Sequence, residues 1–550
     1  MYCDQYESNG GAVILCIPAL CKMTSDQLSA KMTEYPHLGH VFYHSMKIER
    51  DGICQIDAAT GEEETRESVL RRSVRLSQAL RHAGLRPGQV AAVGGHNHLD
   101  LHIPFYAALM NGLPIVGVDP LFKLDEIISL FKITQPRIAF CQSDSFDVYQ
   151  KAADNLGLNL KILTFEDGEH SLKQFLEKNQ DLEPESEFEV ADFDLEKTYV
   201  FLTSTSGTTG TLKVAAFRHR VVMDKFISFS TYIKGPQVKQ MIGLNLSPVQ
   251  WISGIFNAIT MPIMNQTKLQ TSRPAHIDHI IDIINKYKPN TMLAGPSLIL
   301  SLTRHKHDVD LSCFKSIIVT GEKINPEVVN ELRVHLQKTT TIMEAYGMTE
   351  TLGPALMPNI SGPNGSCGRP TPDYIVKLVN PDTENEIKES FVPGELWVKG
   401  LCFTEYLRNP EETKKVFSED GFIKTGDLMY RDDEDNLYFV ERIKMLIKCR
   451  NAHIVPTELE ELIIKHPGVD KVCVTAIPHL EDGQRPVAFV VRTPGSNVTA
   501  KDVKDLVASK LAKHKELTGG VAFVDSLPMT STGKLARGNM KDLILTAVRE

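Results

Sequence analysis

Positive charge, paired cysteines and long apolar runs are all scarce in this sequence. Its 60 Lys and Arg residues are outnumbered by 69 Asp and Glu, a net charge of −9, so no basic surface is expected to attract nucleic acid. The ten cysteines include no C-x-x-C pair, which argues against a zinc site and against a disulfide framework. The composition fits neither a nucleic-acid-binding protein nor a small disulfide-rich secreted domain.

No stretch of the sequence is apolar for long enough to cross a bilayer, which takes about 20 residues in a helix. Residues 11–20 have the length of a signal-peptide core, but residues 1–8 ahead of them carry two acidic side chains and no basic one, which opposes that reading. The C-terminus, Thr-Ala-Val-Arg-Glu, lacks the Ser-Lys-Leu peroxisomal signal. We predict a soluble protein with neither a signal peptide nor a transmembrane segment.

What the sequence does contain is an alternation of short apolar runs and amphipathic helical periods. A chain of 550 residues is too long for one hydrophobic core and should divide into two or more domains. Thr65 is a candidate cap for a helix that ends at Gly84, and 276–287 repeats isoleucine at helical spacing. Apolar runs typical of buried strands occur at 90–93, 112–118, 137–140, 198–202, 291–296 and 316–321. The alternation predicts an α/β fold with helices covering parallel sheets, and the acidic segment 168–192 is predicted to be a solvated connection.

The segment 201–213, Phe-Leu-Thr-Ser-Thr-Ser-Gly-Thr-Thr-Gly-Thr-Leu-Lys, is the first candidate functional site. Glycine lets backbone N–H groups approach a polyphosphate closely, and the threonine hydroxyls between the glycines add donors. Lys213 adds a point positive charge. The segment is not a Walker A loop, because its lysine stands three residues after the second glycine and is followed by Val214. Taken alone, it is more typical of a surface turn.

Two further segments combine glycine with carboxylate and hydroxyl side chains. In 344–351, Tyr346 presents a flat ring beside a glycine, as stacking on a nucleobase requires, and Glu350 supplies oxygen ligands of the kind that Mg²⁺ binds. In 421–428, Asp427 has the carboxylate needed to accept hydrogen bonds from the two hydroxyls of a ribose. Taken one at a time, these residues are more typical of a packing tyrosine, an exposed acid and a turn-stabilising aspartate.

Together with two lysine-containing segments nearer the C-terminus, these segments resemble the motifs of one superfamily in order and approximate spacing. The five segments are 203–213, 346–350, 425–427, 441–448 (Glu-Arg-Ile-Lys-Met-Leu-Ile-Lys) and 532–534 (Thr-Gly-Lys). The superfamily comprises the ATP-dependent, AMP-forming adenylate enzymes: acyl-CoA synthetases, plant 4-coumarate–CoA ligases and beetle luciferases. The resemblance extends from about residue 40 to the C-terminus, and it is greatest with the luciferase-like acyl-CoA synthetases of insects.

The resemblance implies two domains. The large N-terminal domain, 1–441, would consist of helix-covered sheets and a small β-barrel-like part. The small C-terminal domain, 442–550, would be a mobile α+β unit, with the hinge at 441–444. The sequence supports the small domain independently, because Pro456 and Thr499 are suited to begin helices and apolar strand runs lie between them.

The resemblance also implies how ATP and Mg²⁺ are bound. The glycine-rich loop would hold the triphosphate, the segments around residues 321 and 346 the adenine, and Asp427 the ribose. Glu350 would help to place Mg²⁺, and Thr349 would lie near the α-phosphate. The residues implied in ATP binding are Thr205, Ser206, Gly207, Thr208, Thr209, Gly210, Lys213, Thr320, Gly321, Glu322, Ala345, Tyr346, Gly347, Asp427 and Arg442.

The implied reaction has two steps, and the small domain rotates between them. A carboxylate first attacks the α-phosphate of MgATP, which yields an acyl-adenylate and pyrophosphate, and the thiol of CoA then displaces AMP. Lys534 would stabilise the negative charge of the first step, and Lys448, Asn451 and His453 would face CoA in the second. Neither step needs a covalent enzyme nucleophile. The implied acyl pocket contains Trp251, Ser253, Leu352 and Gly353, together with residues 320 and 321.

Several positions depart from the motifs that the superfamily usually carries. Leu212 and Val214 flank the loop lysine where proline and glycine are usual, and Glu441 replaces the usual hinge aspartate. Asn451 stands at the usual glycine of the CoA-facing loop, where asparagine tolerates positive φ better than most residues. Trp251 lies where luciferases carry histidine, which argues against light emission more than against ligation. These differences bear on turnover and not on the fold.

We therefore predict an acyl-CoA synthetase that uses ATP, Mg²⁺ and CoA, with a medium- or long-chain fatty acid as the favoured substrate because the implied pocket is mostly apolar. Three alternatives stay open: an aryl-acid (4-coumarate-like) CoA ligase, a luciferase-like monooxygenase, and a catalytically weakened acyl or nucleotide binder. The last is suggested by Leu212, Val214 and Asn451. The expected partners are small molecules, and the expected compartment is the cytoplasm or the peroxisome. The sequence does not specify the oligomeric state.

Overall fold

The computed structural model describes residues 33–179, 183–205, 212–232, 241–357, 362–450, 452–529, 535, 540, 543–544 and 547–550. The chain divides into two compact units, Met1–Ile375 with Lys399–Phe422, and Val376–Val398 with Ile423–Glu550. Both units mix helices with sheets, and this confirms the predicted α/β class. The domain boundary at 441/442 stays a prediction.

The predicted helices, at 65–84, at 276–287 and after Pro456 and Thr499, are present within a few residues of the predicted positions. The described helices are α1 (Leu38–Met46), α2 (Arg66–His82), α3 (His102–Met110), α4 (Leu124–Thr134), α5 (Phe146–Leu156), α6 (Leu172–Lys178), α7 (His219–Tyr232), α8 (Ile252–Ile263), α9 (Ile277–Tyr287), α10 (Pro296–Arg304), α11 (Pro326–Val334), α12 (Pro410–Val416), α13 (Pro456–Ile463) and α14 (Ala500–Lys510). The Thr65 side chain accepts a hydrogen bond from the Ser68 N–H and so caps α2 as predicted. Among the described residues, no helix is both long enough and apolar enough to cross a membrane.

Most of the strands are short, as the apolar runs predict, although two of them have 11 and 10 residues. The described strands are β1 (Ile53–Asp57), β2 (Glu62–Thr65), β3 (Ala91–Gly94), β4 (Ile115–Val118), β5 (Ile138–Cys141), β6 (Lys161–Thr164), β7 (Tyr199–Thr205), β8 (Lys213–Arg218), β9 (Ile242–Leu244), β10 (Thr267–Gln270), β11 (Thr291–Ala294), β12 (Ser316–Thr320), β13 (Thr341–Met348), β14 (Gly353–Met357), β15 (Arg369–Pro370), β16 (Tyr374–Val379), β17 (Glu386–Ile387), β18 (Gly394–Gly400), β19 (Glu405–Tyr406), β20 (Ile423–Arg431), β21 (Leu437–Arg442), β22 (Ile447–Cys449), β23 (Ala452–Ile454), β24 (Val469–His479), β25 (Gly483–Arg492) and β26 (Val521–Phe523).

One sheet of the first unit has seven strands in the order β19-β8-β7-β4-β3-β5-β6. Its centre is parallel, and every residue of β3, β4 and β5 is buried, as expected for strands covered on both faces. Strand β8 runs antiparallel to β7 and β19 antiparallel to β8. The carboxyl end of β7 therefore leads directly into the glycine-rich segment.

The second sheet of this unit has nine strands in the order β15-β14-β13-β12-β11-β9-β10-β1-β2. The strands from β13 to β1 are parallel, while β14, β15 and β2 are antiparallel additions. Its apolar core contains Ile280 and Ile284 of α9, as the isoleucine spacing predicts, against Met292 and Ile317 of the strands. Of the residues predicted to bind adenine or the acyl group, those on strands of this sheet are Thr320, Ala345, Tyr346, Gly347 and Gly353.

The prediction that 168–192 is a solvated connection is wrong. The segment contains α6, on which Leu172 and Phe175 are buried, and Phe188 is buried further along. The Tyr43 hydroxyl donates to the Phe188 carbonyl, and the Arg81 guanidinium lies 5.0 Å from the Phe188 ring centroid. The few apolar residues of this segment are thus its buried face. They are outnumbered by acidic residues, so their pattern is hard to recognise in the sequence.

The second unit contains two sheets. Strands β17-β16-β18-β20-β21 form a five-stranded sheet, while the small β-barrel-like part expected within 1–441 stays a prediction. Strands β23-β22-β25-β24 form the other sheet, with β26 added parallel to β25. Pro456 begins α13, and Thr499 caps α14 in a reciprocal pair with Asp502. Both helix starts agree with the sequence prediction.

Candidate functional site

The residues on either side of the glycine-rich segment are brought together by an antiparallel ladder. Thr205 and Lys213 form its last described pair, at the carboxyl end of β7 and the start of β8. Lys213 is therefore fixed at the end of a buried sheet, where ligands of α/β proteins commonly bind. Ser206, Gly207, Thr208, Thr209 and Gly210 lie outside the described residues, and their assignment to the triphosphate stays a prediction.

Lys213 is engaged by two residues that the sequence did not single out. Its ammonium forms an ion pair with Glu412 on α12 and lies 5.1 Å from the centre of the Tyr406 ring. A hydrogen bond from Lys213, followed in size of effect by one from Lys415, lowers the pKa of Glu412 to about 2. Glu412 is therefore ionised at neutral pH. Its carboxylate is paired with the ammonium of Lys213, the group that is predicted to bind phosphate.

The predicted adenine-binding residues meet on adjacent parallel strands. Thr320 at the end of β12 pairs with Ala345 of β13, and the Thr320 hydroxyl donates to the Ala345 carbonyl at 2.9 Å. Gly321 follows with φ of 98°, a conformation that suits glycine, and is exposed together with Glu322. The turn after β12 thus presents exposed backbone beside Ala345, as the prediction requires.

The next ladder joins the adenine prediction to the acyl-pocket prediction. Strand β14 runs antiparallel to β13, and Gly347 pairs with Pro354 while Met348 pairs with Gly353. A Cβ atom on Gly347 would lie only 2.2 Å from the Gly353 carbonyl oxygen, so this close approach requires glycine. The two predicted groups are therefore neighbours, and the turn between them carries Thr349 and Glu350.

That turn holds a buried carboxylate. Residues Thr349–Thr351 form one 3₁₀ turn, and Glu350 is only 6% exposed. The Tyr406 hydroxyl donates to Oε1 of Glu350 at 2.5 Å, and the Phe403 N–H donates to the Glu350 carbonyl at 2.7 Å. Burial, and next the charge of Glu350, raise the pKa of Tyr406 well above its usual value. Tyr406 consequently stays a hydrogen-bond donor to Glu350.

The predicted acyl-pocket residues lie at the start of α8 and at the start of β14, and these two elements meet at Phe256. Trp251 immediately precedes α8 and Ser253 lies in its first turn. Phe256, one turn further along, approaches Gly353, because a Cβ atom on Gly353 would lie 3.8 Å from the Phe256 ring. Phe256 also stacks on Phe226 of α7, with the ring centroids 5.6 Å apart. The lining beside Gly353 is aromatic and apolar, with Leu352 buried at the same turn.

In the second unit, Asp427 and Arg442 are direct cross-strand partners. They pair between β20 and β21, and Nε of Arg442 lies 3.1 Å from Oδ1 of Asp427. Asp427 is 2% exposed, whereas half of the Arg442 side chain is exposed. The Gly426 N–H donates to Glu395, which holds the turn before Asp427. The structure thus pairs Asp427, predicted for the ribose, with Arg442, predicted to reinforce the nucleotide site, and adds Glu395 at the preceding turn.

The predicted hinge and CoA-facing residues also lie in the second unit. Glu441 is buried and accepts hydrogen bonds from the Arg442 N–H and from the Thr457 hydroxyl of α13. Lys448 and His453 are exposed cross-strand partners in the β22–β23 hairpin. Arg450, at its tip, has φ of 54°, and its N–H donates to the Asp482 carbonyl. Asn451 and Lys534 lie outside the described residues, so their roles stay predictions.

Sequence reasoning missed the residues that hold these side chains in place. Tyr406, Glu412 and Glu395 contact predicted site residues from positions far along the chain, 56 residues away in the case of Tyr406 and Glu350. No local pattern links such residues. The segment 403–412 mixes aromatic and acidic residues after a strand, and this is the one signal that the sequence offered.

The donor atoms fit the ligands that the resemblance implies. The buried carboxylate of Glu350 and the hydroxyl of Thr349 are hard oxygen donors of the type that Mg²⁺ prefers. The ammonium of Lys213 has the charge that phosphate oxygens require. Lys448 and His453 are exposed polar side chains, as the predicted contact with CoA requires.

Comparison with known proteins agrees with this geometry. The family model described as AMP-binding enzyme matches residues 43–406, and the model of the AMP-binding enzyme C-terminal domain matches residues 458–534. The luciferin 4-monooxygenase of Photinus pyralis is 28% identical over 490 residues, 86% of this chain and 88% of that protein. The 4-coumarate–CoA ligase-like 1 of Arabidopsis thaliana is 28% identical over 509 residues, 90% of this chain and 92% of that protein.

The fold comparison is equally extensive. The ATP-bound MatB of Rhodopseudomonas palustris matches with a TM-score of 0.81 and 22% identity, over 95% of this chain and 99% of that chain. At 22% identity this likeness shows the fold alone, whereas the family is shown by the family models. Because the first model matches well over half of the sequence, the chain belongs to the AMP-binding enzymes, in the adenylate-forming superfamily to which the resemblance pointed.

Proposed function

We propose that this protein is an acyl-CoA synthetase, an acid–thiol ligase that activates a carboxylic acid with MgATP and transfers the acyl group to CoA. The β13–β14 ladder is the observation that supports this most strongly. It pairs Gly347 with Pro354 and Met348 with Gly353, with the buried carboxylate of Glu350 in the turn between the two strands. An adenylating enzyme needs a nucleotide surface, an acid pocket and an oxygen ligand for a metal in this relation.

The proposal gives each group one task in the first step. Glu350 would hold Mg²⁺, which when bound neutralises phosphate charge, and Thr349 would donate to the α-phosphate. Lys213 and the glycine-rich segment would bind the triphosphate, Asp427 would bind the ribose, and Arg442 would reinforce the nucleotide site. Lys534 would stabilise the negative charge that develops as the carboxylate attacks the α-phosphate and pyrophosphate departs.

The second step would use another face of the small domain. Lys448, Asn451 and His453 would face CoA, whose thiolate attacks the acyl-adenylate carbonyl and releases AMP. We place the domain boundary at 441/442, with 441–444 as the hinge. Glu441 accepts hydrogen bonds from the Arg442 N–H and the Thr457 hydroxyl, which both lie beyond this boundary, so rotation at the hinge would have to break the bond from Thr457.

The favoured substrate is a medium- or long-chain fatty acid. The apolar character of Leu352 and Phe256 beside Gly353 supports this choice. The stacking of Phe256 on Phe226 favours an aryl acid as the second candidate, because a flat ring packs well against aromatic side chains. A panel containing octanoate, palmitate and 4-coumarate distinguishes the two classes by their kcat/KM.

Pyrophosphate release with this panel, with and without CoA, tests the proposal. Ligation predicts that pyrophosphate release depends on the acid and that AMP and the acyl-CoA accumulate only with CoA. A luciferase-like monooxygenase would instead give light with luciferin and O₂. A weakened binder would bind ATP without releasing pyrophosphate. A fluorescent fusion of the full chain tests the compartment, which we propose to be the cytoplasm or the peroxisome.

A further inference from the structure

Three buried side chains outside the predicted site hold the turn that carries Thr349, Glu350 and Leu352. They are Lys225 on α7, Asp373, and Tyr374 at the start of β16. All three belong to the first unit. The side chains of Lys225 and Asp373 are 3% and 6% exposed, and Tyr374 is also buried. None of them lies in a motif of the resemblance.

Tyr374 ties the turn to a second segment. Its hydroxyl oxygen lies 2.6 Å from the Thr351 carbonyl oxygen and 2.7 Å from that of Leu401. The single hydroxyl proton is shared between two carbonyls of separate chain segments. Two residues beyond Leu401, the Phe403 N–H donates to the Glu350 carbonyl. Tyr374 therefore supports the backbone of Glu350 through Thr351 on one side and through the Leu401–Phe403 segment on the other.

Lys225 fastens the far end of the same turn. Its ammonium lies 3.0 Å from Oδ2 of Asp373, 3.3 Å from the Pro354 carbonyl oxygen and 4.2 Å from the centre of the Tyr374 ring. The ammonium thus joins β14 to the residues that precede β16. The turn is held at Glu350, at Thr351 and at Pro354.

Stability alone does not account for these charges. A buried ion pair loses its hydration, and well-packed apolar side chains of similar volume often stabilise a protein equally well. The turn also contains a strained residue, because Leu352 has φ of 48°. Such a conformation persists where the surroundings fix it, and it is found mostly at functional sites.

We infer that Lys225, Asp373 and Tyr374 are positioning residues, which fix the Thr349–Pro354 turn so that Glu350 and Thr349 are aimed at the metal and the phosphate. The inference rests on the proposed function for its catalytic consequence. Its structural consequence, a turn that loosens when these residues change, can be measured without any substrate.

Hydrogen exchange of peptides covering 348–357, measured by mass spectrometry on the full chain, reports how firmly the turn is held. We expect Tyr374→Phe, and the double variant Lys225→Met/Asp373→Leu, to exchange about tenfold faster there than the wild type. The double variant leaves no unpaired buried charge, so its thermal midpoint should stay close to that of the wild type. In pyrophosphate release, kcat should fall about tenfold while KM for ATP stays within about twofold, and half-saturation by Mg²⁺ should need more metal.

Tyr106→Phe is the matched control. The Tyr106 hydroxyl is equally buried in the same unit and donates to the Ala258 carbonyl at 3.0 Å. This control should lower the thermal midpoint as much as Tyr374→Phe and leave both the turn and kcat unchanged. If peptides covering 348–357 exchange at the wild-type rate in both test variants, the inference is overturned, whether or not the protein is active. If the variants exchange faster at 348–357 but the wild type releases no pyrophosphate with any acid, the positioning role is supported and the proposed function is refuted.

Discussion

The hydroxyl of Tyr406 lies 2.5 Å from Oε1 of Glu350, and the same tyrosine ring lies 5.1 Å from the ammonium of Lys213. One side chain therefore contacts both the predicted metal ligand and the predicted phosphate ligand. Burial, and next the charge of Glu350, keep the Tyr406 pKa above its usual value, so the phenol is a neutral donor at physiological pH. A hydrogen bond to a carboxylate orients it and reduces its charge density.

Tyr406→Phe should therefore weaken the placement of the metal by Glu350. We expect kcat/KM for pyrophosphate release to fall about tenfold, with half-saturation at a higher Mg²⁺ concentration. Tyr438→Phe is the control, because Tyr438 also donates to a carboxylate, that of Asp432, at 3.0 Å. Equal kinetic losses in both variants would contradict the role of Tyr406.

The ion pair of Lys213 with Glu412 predicts a competition with ATP. Phosphate must displace the Glu412 carboxylate from the lysine, so Glu412→Gln should bind ATP several-fold more tightly, while Lys213→Met should bind it about tenfold more weakly. Calorimetric titration with MgATP measures both changes. Because the pKa of Glu412 is about 2, the effect should be constant from pH 5 to pH 8.

Glu411→Gln is the control for this prediction, since it removes the same charge from the neighbouring, exposed position. It should leave the Kd of ATP within about twofold of the wild type, because exposed charges without a fixed partner contribute little. Weaker ATP binding by Glu412→Gln would show that Glu412 orients Lys213 and does not compete with phosphate.

Much of the fold was predictable because it depends on local patterns. The isoleucine spacing of α9, the Thr65 cap of α2 and the start of α13 at Pro456 are encoded within a few residues each. The segment 168–192 was misread because its acidic residues outnumber the apolar ones, yet Phe175 of α6 is buried. A short helix that packs by one or two side chains has too little periodicity to be recognised.

The residues of the candidate site also include some that the sequence could predict and others that it could not. Glu350 and Asp427 could be identified because the superfamily motifs mark them, and the structure shows them buried. Tyr406, Glu412 and Lys225 could not, because each acts across a tertiary contact and stands in no motif. Packing of distant segments decides these positions, and a single sequence carries no record of it.

The two lysines of the small domain should separate the half-reactions. Lys448→Ala should keep acid-dependent pyrophosphate release within about threefold and slow acyl-CoA formation about tenfold or more, whereas Lys534→Ala should slow pyrophosphate release by about a hundredfold. Pyrophosphate and acyl-CoA are measured in parallel in single turnovers. Lys471→Ala, a strand lysine of the same domain, is the control. An equal loss of both products in Lys448→Ala contradicts the division.

The stability of the first unit should fall in mild acid because of His37. Burial lowers the pKa of His37 to about 4 from its ordinary 6.5, so the unfolded chain binds more protons between those values. The contribution is complete above pH 6.5 and is lost progressively toward pH 4, by about 3 kcal/mol for one histidine. His219, whose ring centroid lies 5.5 Å away, has its pKa lowered to about 3 by burial and adds to the effect.

Thermal midpoints measured from pH 7.5 to pH 4 check this prediction. In the wild type, His37 accepts a hydrogen bond from the Gly39 N–H, and His37→Asn keeps an acceptor there. The variant should therefore flatten the pH dependence without abolishing α1. His307→Asn changes an exposed histidine and should leave the profile as it is. A profile of His37→Asn as steep as that of the wild type would mean that other groups govern the acid sensitivity.

The central claim, that Glu350 serves an acid-dependent attack on ATP, is tested most directly by pyrophosphate release from the wild type and from Glu350→Gln. The measurement uses saturating MgATP and the acid panel without CoA. The account predicts no release without acid, release with at least one acid, and a loss of about a hundredfold in Glu350→Gln. A wild type that binds ATP yet releases no pyrophosphate with any acid, or a Glu350→Gln variant with the wild-type rate, would contradict it.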